Sequence, residues 1–106
     1  MNKYLLFLGL LTLSGLSLAS EHQMIDTLGA SPKGQFVALE EYGYKSQKHT
    51  YYVTIKVMNV WKKEYVGKSF EVELPAHRPN FLKKARERAK ILAQEELRRF
   101  NIPVNS

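Results

Sequence analysis

The sequence predicts an α+β domain: a small antiparallel β-meander of three to four strands packed against one C-terminal amphipathic helix. Two observations carry this. Between residues 24 and 74, apolar side chains recur at alternate positions in short runs divided by turn signals. Half-buried strands with short antiparallel connections read that way. From residue 80 to 100 the apolar period becomes helical, and Gly and Pro disappear. One face of a sheet is the natural cover for such a stripe.

The elements follow in order. Met24 to Gly29 reads as a short first strand. Ser31-Pro32-Lys33-Gly34 is a turn, because Pro presets φ and Gly closes it. Gln35 to Tyr42 is a second strand with apolar residues on both faces, which suits a central position. Gly43 to His49 is polar and reads as a loop. Thr50 to Trp61 is the clearest strand: Val53, Ile55, Val57 and Trp61 share one face, and Tyr52, Thr54, Lys56 and Met58 the other. Lys62 to Gly67 reads as a turn. Ser69 to Leu74 alternates again, with Phe70, Val72 and Leu74 opposite Glu71 and Glu73. Asn80 is the expected N-cap of a helix that runs to Phe100 and is stopped by Asn101 and Pro103. Its apolar stripe is Leu82, Ala85, Ala89, Leu92, Ala93, Leu97 and Phe100.

The first residues read as an address. Met1-Asn2-Lys3 is a positive n-region, Tyr4 to Leu13 an apolar run, and Ser17-Leu18-Ala19 a small-x-small cleavage signal. The expectation is a signal peptide over residues 1–19 and one domain over residues 20–106. Its short n-region looks bacterial, so the destination is the periplasm or the medium, with no membrane span left after cleavage. There is no cysteine. Disulfides, thiol catalysis and a cysteine-linked lipid anchor are therefore excluded. Packing, a bound partner or self-association must hold the domain together.

The formal net charge is +6, and it is unevenly placed. From Ser20 to His77 seven cations balance seven anions; from Arg78 onward eight cations face three anions. Lys83, Lys84, Arg86, Arg88 and Lys90 crowd the first half of the helix. Cations there oppose the helix dipole, and Lys84–Arg88 and Arg86–Lys90 are like-charged i, i+4 pairs. Helix stability alone does not select that pattern. These five residues are the candidate contact surface for an anionic envelope component or an acidic protein. The bland alternative is a solvated face, partly neutralised by Lys83–Glu87 and Glu95–Arg99 pairs. Export disfavours nucleic acid as a partner.

Other chemistry is sparse. Tyr42, Tyr44, Tyr51, Tyr52, Trp61, Tyr65 and Phe70 form either a sugar-stacking platform or ordinary cross-strand packing, and their irregular spacing favours packing. Glu40 and Glu41 are adjacent in a strand and point to opposite faces, so they cannot share a substrate as an acid/base pair and read as structural, whether or not one of them is inward and paired with a cation. His22, His49 and His77 lack zinc spacing. Cleavage after Ala19 would place His22 third from a free amine, a square-planar site suited to Cu(II) or Ni(II). No resident cofactor and no catalytic residues are expected. The function expected is thus a non-enzymatic exported binding module. The alternative is an assembly protein that self-associates or pairs through a sheet edge, since a small open sheet leaves edges unpaired.

Residues 28–43, LGASPKGQFVALEEYG, and within them Phe36-Val37-Ala38-Leu39-Glu40-Glu41-Tyr42-Gly43, resemble a family of predicted secreted bacterial proteins of unknown function with an F-A-F-E-E-Y-G-like motif. Tyr51 to Trp61 is similar to that family's strand and Trp, and Ala85-Arg86 with Ala89 to its helix. Lys62-Lys63-Glu64-Tyr65 replaces the family's Gly-Thr-Pro-like segment. The resemblance implies secretion and this fold, and no chemistry. Ser-Pro-x-Gly before an apolar strand also looks like the start of a β-propeller blade, but one blade cannot close a ring.

Overall fold

The computed structural model describes residues 23–104. The expected signal peptide, its cleavage point and His22 lie outside the described residues. Strands β1 (Gln23–Ala30), β2 (Phe36–Lys45), β3 (Thr50–Asn59) and β4 (Glu64–Pro75) precede one helix, α1 (Asn80–Arg99). The strands pair in sequence order, each antiparallel to the next. This is the predicted α+β meander, with β2 and β3 central.

Three boundaries move for identifiable reasons. Strand β2 continues through Lys45, so the predicted loop shrinks to a tight turn. Tyr44 pairs with Tyr51 edge-on, ring centroids 6.0 Å apart, and Lys45 finds carboxylates on β4. Strand β3 stops at Asn59, because its buried side chain accepts the Lys62 backbone N–H at 3.2 Å and closes a turn. Trp61 consequently sits on that turn, 61% exposed, and not on the core face. Strand β4 begins at Glu64, inside the predicted turn, and bulges opposite Lys56, where Gly67 takes a φ of 70°.

Helix α1 lies over β3 and β4. Ala85, Ala89 and Ala93 are fully buried at four-residue intervals, and share the core with Ala38, Val53, Ile55, Val57 and Val72. Alanine at these positions lets the helix approach the sheet closely, because nothing projects beyond Cβ. The predicted stripe holds except at Leu92, which is 52% exposed; Glu96 occupies a buried place on that stripe instead. Asn80 is the first helical residue and not the cap. Pro79 is the cap and makes no side-chain capping bond. The Arg78 and Pro79 carbonyls accept from Phe81 and Leu82, doing part of what an Asn cap was expected to do. At the other end Asn101 adopts the left-handed conformation (φ 61°). The Ile102 N–H then returns to Leu97 and the Asn101 N–H to Arg98, a Schellman closure sealed by the buried Leu97 and Ile102 side chains. The chain beyond it crosses to β1, where Pro103 closes on Gly29.

The helix covers only one face of the sheet. The opposite face carries Leu39, Thr54, Met58, Tyr52 and Tyr65 among a lattice of charges.

Candidate functional site

The bare face of the sheet neutralises its cations, whereas Lys68 in the β4 bulge makes no ion pair with a described residue. On the bare face Lys45 lies 3.5 Å from Glu73 and 3.7 Å from Glu71, Lys48 lies 3.7 Å from Glu73, and Lys56 lies 3.8 Å from Glu41. Lys45 also rests over the Tyr52 ring and Lys56 over the Tyr65 ring. Glu40 and Glu41 do point to opposite faces, and each meets a cation. The aromatic residues divide between both faces and the turns and form no single platform: Phe70 packs against the core, Tyr52 and Tyr65 lie on the bare face, and Trp61 is at a turn.

The five helix cations do not behave alike. Arg86 turns under the helix toward β2 and β1. Its Nε and Nη2 donate to the two oxygens of Glu40 at 3.0 and 2.9 Å, a bidentate pair, and Nη2 also reaches Asp26 at 3.1 Å. The guanidinium stacks 3.9 Å over the Tyr42 ring, and the Tyr42 hydroxyl donates to Asp26 at 3.0 Å. Glu40 is fully buried. The Glu40 hydrogen bonds hold the Arg86 pKa above its ordinary value against the opposing cost of burial. Burial, then the bond to Asp26, push the Tyr42 phenol up. Arg86 is thus engaged with protein carboxylates.

Lys83, Arg88 and Lys90 make no ion pair with a described residue, and Lys84 rests 5.2 Å over the Phe81 ring. At 3.6 residues per turn, Lys84 and Arg88 fall on the outward side, and Lys83 and Lys90 on the flank toward β2. Lys83, Lys90 and Glu87 line a shallow groove of about 380 Å³ above Arg86. A larger groove of about 630 Å³ lies between the end of the helix and residues 102–104; of the five cations, it touches only Lys90. The last helical turns are balanced differently from the expected Glu95–Arg99 pairing. Arg98 pairs with Glu95 at 2.6 Å, and Arg99 with Glu96 at 3.3 Å.

Glu96 is a site residue that the charge count hides. Its buried carboxylate accepts the Lys68 N–H at 2.6 Å in the β4 bulge. That bond, with the Arg99 guanidinium, holds its pKa below the ordinary carboxylate range despite burial. Glu73 is lowered as well, first by the Thr50 hydroxyl at 2.7 Å. A lowered folded-state pKa contributes stability that is complete above the unfolded value and is lost as pH falls through the folded one. Unfolding titrations should therefore show stability declining from about pH 4 downward. Glu96→Gln should flatten that decline, and an unchanged acid limb would refute the assignment.

Among the described residues there is no metal-ligating cluster of His, Asp or Glu, and no helix is long and apolar enough to cross a membrane. His49 donates to or accepts from the Tyr44 hydroxyl at 2.9 Å. The structure defines the class of the protein as a four-stranded meander with one C-terminal helix. The chain matches no family model, and no curated protein or solved structure is significantly similar to it.

Proposed function

We infer that this protein is a non-enzymatic binding module, exported to the periplasm or the medium, whose basic helix engages an anionic surface or an acidic partner. One observation carries the reading. Lys45, Lys48 and Lys56, on the bare sheet face and its β2–β3 turn, are met by carboxylates. Among the described residues, the cations left without one outside the helix, Lys33, Lys62, Lys63 and Lys68, are scattered over two turns and the β4 bulge, whereas Lys83, Lys84, Arg88 and Lys90 gather on half a helix beside the single carboxylate of Glu87. Lys84 and Arg88 repel each other as a like-charged i, i+4 pair, and Lys83 and Lys84 stand near the positive end of the helix dipole. A bound anion relieves both costs. Arg86 is left out of this surface, because Glu40 holds it.

The test is binding of polyphosphate by the purified protein at low and high salt. Contacts of this kind release counterions and weaken steeply as salt rises. Replacing Lys83, Lys84, Arg88 and Lys90 by Gln should abolish binding at moderate salt without changing the folded spectrum. Salt-independent binding, or a variant that binds as the parent does, would refute the reading. Arg86 must stay intact in this variant, since its loss would destabilise the domain for unrelated reasons.

A further inference from the structure

We propose that the anionic surface is a phospholipid bilayer, on which the outward ridge of α1 docks by inserting Ile91 and Leu92 beside the phosphate contacts of Lys84 and Arg88. The proposal deepens the anion-binding reading and rests on it. Ile91 is 64% exposed and Leu92 52%, on a helix whose inner stripe is already filled by Ala85, Ala89, Ala93 and Leu97. Core packing therefore does not account for either residue. At 3.6 residues per turn, Lys84, Arg88, Ile91 and Leu92 fall within about 100° around the helix axis. Each apolar side chain then stands three to eight residues after a long cationic one, on the same ridge.

That order suits a membrane interface. Lys and Arg lay their stems along apolar surface and lift their charges to the phosphates, while the apolar tips enter the acyl boundary. The shape fits too. A helix riding on a sheet is convex, and a fluid bilayer conforms to a ridge with no complementary groove. The nearby acids do not reverse the sign: Glu95, on the same ridge, is paired with Arg98 at 2.6 Å, and Glu87 lies beyond Ile91, toward the flank of Lys83. Two apolar residues give weak insertion alone, so both signals are needed, as for other weakly anchored surfaces.

The test uses the protein as recovered from the cell, its amino terminus read by intact mass, so that any apolar segment retained there adds equally to every variant. Co-sedimentation is measured with phosphatidylglycerol–phosphatidylethanolamine vesicles and with phosphatidylcholine vesicles, and polyphosphate binding is measured in parallel. The double variant Ile91→Ser, Leu92→Ser should bind the anionic vesicles about tenfold more weakly and bind polyphosphate unchanged. Both substitutions are at exposed sites, and an unchanged melting temperature checks the fold. Vesicle binding equal to the parent's overturns insertion while leaving the anion-binding reading standing. A parent that binds polyphosphate and ignores anionic vesicles overturns the bilayer as partner. A parent that binds neither overturns the anion-binding reading itself.

Discussion

Replacing Arg86 by Gln should lower the unfolding free energy by about 3–5 kcal/mol, the cost of leaving a buried charge without its partner. Glu40 has no exposed surface, and both of its oxygens take their hydrogen bonds from this one guanidinium. Gln cannot supply a charge or the planar fork. A domain of this size has about 5–15 kcal/mol of stability to lose. The melting temperature should fall by more than about 12 °C, at roughly 4–8 °C for each kcal/mol. Asp26 adds less, because it is part exposed and solvent screens its share. The companion variant decides the cause. Arg86→Met combined with Glu40→Leu removes both charges and keeps the volume, and should recover most of the loss. A single variant within about 1 kcal/mol of the parent, the scatter of surface pairs, would contradict the assignment.

The second large effect belongs to Gly67→Ala. The residue stands in the β4 bulge at a φ of 70°, where an L side chain costs about 1–2 kcal/mol. A Cβ there would also collide with the Glu96 carboxylate and come within 2.8 Å of Phe100 Cε2. Glu96 has little room to yield, because the Lys68 N–H and Arg99 hold it. We expect a total loss of about 3 kcal/mol, strain and displaced carboxylate together. Gly34 provides the comparison. Its φ is 74°, but a Cβ there meets nothing within 4 Å. Gly34→Ala should therefore cost only the backbone part. Gly67→Ala should also flatten the acid limb as Glu96→Gln does, since it dislodges the same carboxylate. Equal losses at the two glycines would show that Glu96 is free to move aside.

These two positions also show where the sequence stops being readable. Alternation in Val53, Ile55 and Val57 locates a strand face because burial has a period of two there. The helical phase of Ala85, Ala89, Ala93 and Leu97 locates the buried stripe equally well. Asn101 and Pro103 mark the stop, and the left-handed Asn101 supplies it. A bulge breaks the period, so the first part of β4, Glu64 to Gly67, reads as a turn until its pairing with β3 is seen. The charges are harder. Arg86 looks like its neighbours in a list of cations, yet it sits at the margin of the apolar stripe, four residues after Leu82. Glu40 sits in phase with Ala38 on the inner strand face. Those two phases together were the available signal: an inward carboxylate requires a cation. Glu96, in phase with Ala85, Ala89 and Ala93, carries the same message for the other end of the helix. What the sequence has no means to show is which lysines meet a carboxylate across strands. That depends on register, and register separates Lys45 and Lys56, which are paired, from Lys68, which falls in the β4 bulge and has no ion pair with a described residue.

On the proposed function, the basic helix presents usable positive charge and the carboxylate-paired lysines at the bare sheet face do not. The most direct measurement compares two triple variants with equal loss of charge, Lys83, Lys84 and Arg88 to Gln against Lys45, Lys48 and Lys56 to Gln, in polyphosphate binding across a salt series. Long-range attraction falls equally in both. The helix variant should lose binding and most of the salt dependence, while the sheet variant should keep nearly the parent's slope. Equal losses in the two, or a greater loss from the sheet, would contradict it.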